Sequence, residues 1–77
     1  MYETMKVIRL TDLKDVQEFV RAAGNCDFEI DVRYNQTLID AKSLMGMIGL
    51  GVKKDLLICY GGVDENFENV VDKYAIA

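Results

Sequence analysis

The side chains able to do chemistry in this chain are few, and an absence narrows the field first. None of the 77 residues is histidine. That removes imidazole acid–base catalysis, Ser–His and Cys–His nucleophile pairs, and imidazole metal ligands. Ser43 is the most conspicuous remaining group. It lies in the stretch Asp40 to Lys54, D-A-K-S-L-M-G-M-I-G-L-G-V-K-K. Behind it run Leu44, Met45, Met47, Ile48 and Leu50, with glycines at 46, 49 and 51. Lys42, Lys53 and Lys54 bracket the run. A serine hydroxyl can carry phosphate, and flexible methionines recur at protein-binding surfaces. Asp12 and Asp15 form a second acidic group. Cys26 and Cys59 have no metal-ligand spacing, and no metal or cofactor is expected.

Composition sets further bounds. The length suits one domain over 1–77, with a small core. The net charge is −4, against a nucleic-acid binder, which needs a basic patch. No apolar run approaches the roughly 20 residues of a membrane span. The N-terminus lacks the apolar stretch of a secretory signal. Two unpaired thiols then suit a reduced, cytoplasmic setting.

The elements that position these groups follow from local pattern. Met5–Leu10, M-K-V-I-R-L, reads as a strand. Thr11 and Asp12 are both good helix caps, and Asp15 adds first-turn negative charge. Val16, Phe19, Val20 and Ala23 follow at i, i+3, i+4, i+7, one buried helical face. Gly24-Asn25 ends that helix. From Asp27 to Tyr34 the chain alternates, with Phe28, Ile30, Val32 and Tyr34 on one side: a half-buried strand. Asn35-Gln36 is the turn, and Thr37–Ala41 the returning strand. Ser43 caps a helix of about two turns that stops at Gly51. Asp55–Tyr60, D-L-L-I-C-Y, is nearly all apolar and reads as a central strand. Gly61-Gly62 turns, and Asp64 caps a last helix with Phe67, Val70, Val71 and Tyr74 inward. The order β-α-β-β-α-β-α predicts an α+β fold, a mostly antiparallel four-stranded sheet with helices on one face.

That order, with Lys42-Ser43-Leu44-Met45-Gly46 running on to Gly51-Val52-Lys53-Lys54, resembles the HPr family. These are the small phosphocarriers of the bacterial sugar phosphotransferase system. The resemblance covers nearly the whole chain, and the K-S-(I/L)-(M/L)-G segment is fairly specific. It implies an open-faced β-sandwich with three helices on one face.

The family's catalytic motif reads G-L-H-A-R-P-A at the start of its first helix. Counting back from Phe19, Asp12 stands at the histidine, Lys14 at the arginine and Asp15 at the proline. The Asp12-to-Ser43 separation matches the family's histidine-to-serine separation. A carboxylate cannot form the N-linked phosphate that the transfer chain uses, so no catalytic residue is carried over. An acyl phosphate on Asp12 is the alternative, and it calls for a metal and a cluster of acids. Ser43 matches the serine that a dedicated kinase phosphorylates in many members, whose modified form binds a transcription regulator. A member lacking histidine but retaining this serine resembles a regulatory or adaptor protein rather than an enzyme. Its partners would be a serine kinase and a regulator or phosphotransferase protein, with no nucleic acid and no membrane. The alternative is a phosphoacceptor that uses Asp12 or Ser43.

The expected phosphorylation site is Ser43, and the expected partner surface is Lys42, Leu44, Met45, Met47, Lys53 and Lys54. By spacing alone Ser43 also suits a simple cap, and Leu44, Met45 and Met47 suit a core stripe. Leu44 and Met45 stand in the first turn, where little core lies beneath them. Close approach of a partner backbone would also account for glycines at 46 and 49.

Overall fold

The structure, a computed structural model, describes residues 4–76. The elements are β1 (Thr4–Arg9), α1 (Leu13–Gly24), β2 (Ile30–Tyr34), β3 (Thr37–Asp40), α2 (Leu44–Leu50), β4 (Asp55–Tyr60) and α3 (Glu65–Tyr74). The sheet order is β1-β4-β2-β3, and every pairing is antiparallel. The apolar β4 therefore lies inside the sheet, as its composition predicts.

All three helices start on the expected side chain. Asp12 accepts from the Asp15 N–H at 3.0 Å, Ser43 from Gly46 at 3.1 Å, and Asp64 from Phe67 at 2.8 Å. Each bond satisfies one of the otherwise unpaired first-turn donors. At its far end α1 stops without a left-handed residue. Gly24 is still helical, and Asn25 is right-handed at φ −83°. Gly51 closes α2 at φ 90°, a region that favours glycine.

One face of the sheet carries Ile8, Ile30, Val32, Leu56, Ile58 and Tyr60, all fully buried. Val16 and Phe19 of α1, Met47 of α2 and Phe67 and Val71 of α3 complete the core. Phe19, Tyr60 and Phe67 meet ring to ring, with centroids 5.8 and 5.1 Å apart. On the opposite face Met5, Val7 and Leu38 are exposed. This is an open-faced α+β sandwich.

β2 is shorter than its alternation suggests, because the chain bends at 27–28 and enters the sheet at Ile30. Phe28 still packs on the core, stacking on Tyr60 at 6.2 Å. Gly62 makes room for it, since a Cβ there would fall 2.1 Å from the Phe28 ring. Cys26 and Cys59 are both buried free thiols. Burial raises the pKa of each above the ordinary thiol value.

Candidate functional site

α2 has seven residues, and their burial divides sharply. Met47 is 1% exposed and belongs to the core, together with Leu50. Met45 is 80% exposed, Leu44 40% and Ile48 45%. The helical period puts 44, 45 and 48 on one side and 47 and 50 on the other. Met47 therefore does not belong to the expected partner surface. Ile48, which that expectation omitted, shares the exposed side with Leu44 and Met45. Its spacing of i+4 from Leu44 and i+3 from Met45 was the signal that could have found it. Ser43 is exposed at the edge of this apolar group, its oxygen bonded to the Gly46 N–H.

The two glycines of α2 have different reasons to be there. A Cβ on Gly46 would fall 2.8 Å from Ile39 Cγ2, so the close neighbour is the chain's own β3 side chain. No partner backbone is needed to account for Gly46. A Cβ on Gly49 would meet nothing within 4 Å. Gly49 is exposed and leaves the outer side of α2 flat beside Met45 and Ile48.

The expected basic rim is largely committed to internal work. Lys42 donates from Nζ to the Cys26 carbonyl at 2.9 Å, just beyond the end of α1. Lys54 donates to the Leu50 carbonyl at 2.6 Å and lies 5.0 Å from the centre of the Tyr34 ring. Both ammonium groups thus serve C-terminal carbonyls at or just beyond helix ends, where the helix dipole favours positive charge. Lys53 keeps an exposed side chain. Its backbone is left-handed at φ 62°, and its N–H bonds the Leu10 carbonyl at 2.7 Å. That bond ties the loop after α2 to the segment leading into α1.

Asp12 and Lys14 stand at the start of α1, both exposed. Asp15 is the more engaged acid. Its Oδ2 accepts from the Thr11 N–H at 3.0 Å and from the Thr11 hydroxyl at 2.7 Å. Its Oδ1 accepts from the Tyr74 hydroxyl at 3.2 Å. The one Tyr74 hydroxyl proton is shared between Asp15 and Glu18, and Glu18 also accepts from Lys73 at 3.0 Å. The Thr11 bonds hold Asp15 below the usual carboxylate range, and the Tyr74 and Lys73 bonds do the same for Glu18. Burial and Glu18 push the Tyr74 hydroxyl up. A shallow groove of about 570 Å³ runs along these side chains. Among the described residues, no three acid or thiol side chains converge as metal ligands would. Tyr74 was expected only as an inward residue of α3; its reach to α1 crosses 56 residues of sequence and leaves no local signal.

The family described as PTS HPr component phosphorylation site matches this chain over residues 12–61. The match opens at Asp12 and runs through α1, the β2–β3 hairpin, α2 and β4. It thus covers both the acidic start of α1 and the Ser43 helix. On fold order, sheet topology and this match together, the chain belongs to the HPr phosphocarrier family of the phosphotransferase system.

Proposed function

We propose that this is a non-catalytic HPr-like regulatory or adaptor protein, related to the sugar phosphotransferase system and acting in the cytoplasm. Its working surface is the outer side of α2, with phosphorylation of Ser43 as the control. The observation that carries the reading is the exposure of Leu44, Met45 and Ile48 beside Ser43 in a chain without histidine. Large apolar side chains on one exposed helix face suit a docking groove on a protein partner. Ser43 is the chain's one serine, so a serine-directed kinase has a single target. A phosphate there adds about −1.5 to −2 charge at neutral pH. Lys42 is held on Cys26, so that charge stays on the surface and alters what a partner meets.

Asp12 occupies the place of the family's phosphorylated histidine in this reading, and Lys14 that of its arginine. Asp12 serves as the α1 cap, which accounts for an acid at that position without any transfer role. A phosphocarrier that uses Asp12 or Ser43 is the competing reading.

The test is Met45→Asp compared with wild type in capture from extract of the source cells. The variant should keep its far-ultraviolet circular dichroism and lose the proteins that wild type retains. Unchanged capture by the folded variant would remove α2 as the docking surface.

A further inference from the structure

We propose that residues 75–76 are a strap that closes the free edge of β1 against pairing with a second copy of this chain. After α3 ends at Tyr74 the chain turns along β1. Ala75 forms an antiparallel bridge with Ile8, and the Ile76 N–H donates to the Val7 carbonyl at 3.2 Å. Among the described residues β1 is an edge strand, bonded within the sheet to β4 alone. It is six residues long, against four for the opposite edge, β3. Met5 and Val7 on its solvent face are exposed and apolar. A long edge of this kind is a template for another strand unless something covers it.

The strap itself shows that this edge accepts an antiparallel strand, and it fixes which groups do the accepting. The Val7 carbonyl points to the free side. By the two-residue period of a strand, Met5 and Arg9 point the same way. A self-pairing register must therefore match odd residues with odd. With Val7 on the two-fold axis, Val7 meets Val7, Met5 meets Arg9, and Lys6 meets Ile8. With Lys6 on the axis, two long side chains stand opposite each other, each already held by Glu68 and Asp72 of its own chain. The Val7 register places two apolar side chains on the axis, and it uses the carbonyl that the strap occupies.

The test is the full chain carrying Ile76→Pro. Proline removes the N–H that reaches Val7. Ala75, at φ −63° and ψ 141°, already has the backbone that precedes a proline. Sedimentation equilibrium is run at 0.15 M salt, where the Debye length is about 8 Å and repulsion between the acidic chains is screened. Wild type should remain at the mass of one chain. The variant should rise with concentration toward the mass of two. Adding Val7→Lys, which puts two like charges on the axis, should return it to one. A folded Ile76→Pro variant that stays monomeric would overturn the proposal, as would a dimer that survives Val7→Lys. Loss of the folded spectrum in Ile76→Pro counts against it too, since an exposed strap is dispensable to the domain.

Discussion

The Asp12 carboxylate accepts a hydrogen bond from the Asp15 backbone N–H at 3.0 Å, closing the start of α1 with the chain's own side chain. Asp12→Ala should lower stability by about 0.5–2 kcal/mol through loss of that cap. Urea denaturation followed by circular dichroism measures it. An unchanged midpoint would mean that the helix start does not depend on Asp12.

Acid should weaken the α1–α3 contact. Asp15 and Glu18 have lowered pKa values in the fold, held down by Thr11 in one case and by Tyr74 and Lys73 in the other. Unfolded, they titrate near 3.9 and 4.3. A depressed folded value contributes stability that is present above the unfolded pKa and is lost as pH falls through the folded one. The domain should therefore be most resistant above about pH 5 and lose stability steadily below about pH 4. Tyr74→Phe should lower stability at pH 7 by about 1 kcal/mol and flatten the acid loss. Parallel slopes for wild type and variant would show that other groups set the acid limb.

Alanine at the two α2 glycines should act with opposite signs. At Gly46 a new Cβ meets Ile39 Cγ2 at 2.8 Å, and Gly46→Ala should destabilise despite the better helix propensity. At Gly49 the space is open, and Gly49→Ala should stabilise by about 0.5–1 kcal/mol. Thermal midpoints of the two variants decide it, and changes of the same sign would contradict the packing described here.

Lys42→Met should destabilise the folded chain by about 1 kcal/mol, because it leaves the Cys26 carbonyl without its donor. A freely solvated rim lysine would show no such cost. Equilibrium denaturation at moderate salt distinguishes the two, and a midpoint equal to wild type would return Lys42 to the rim.

These outcomes separate what the sequence makes legible from what it does not. The caps at Asp12, Ser43 and Asp64 are short-range bonds over three residues, and the pattern around each was enough to place it. The inward faces of α1 and α3 repeat over ten residues or more, long enough for the period to declare itself. α2 has only seven residues, too few for the pattern to show which side faces the core, where Met47 lies. The commitments of Lys42 and Tyr74 depend on partners 16 and 56 residues away. Gly46 answers to a β3 side chain. None of these follows from local spacing, since tertiary packing alone brings the groups together.

A chain without histidine should not carry phosphate by the family's usual route. The most direct measurement incubates the purified protein with the general phosphotransferase enzyme and phosphoenolpyruvate, then reads the intact mass at neutral pH, where acid-labile phosphates survive. The mass should be unmodified, with an authentic histidine-containing carrier phosphorylated alongside. A gain of one phosphoryl group on this chain would contradict it, and loss of that gain in Asp12→Asn would identify the acyl phosphate.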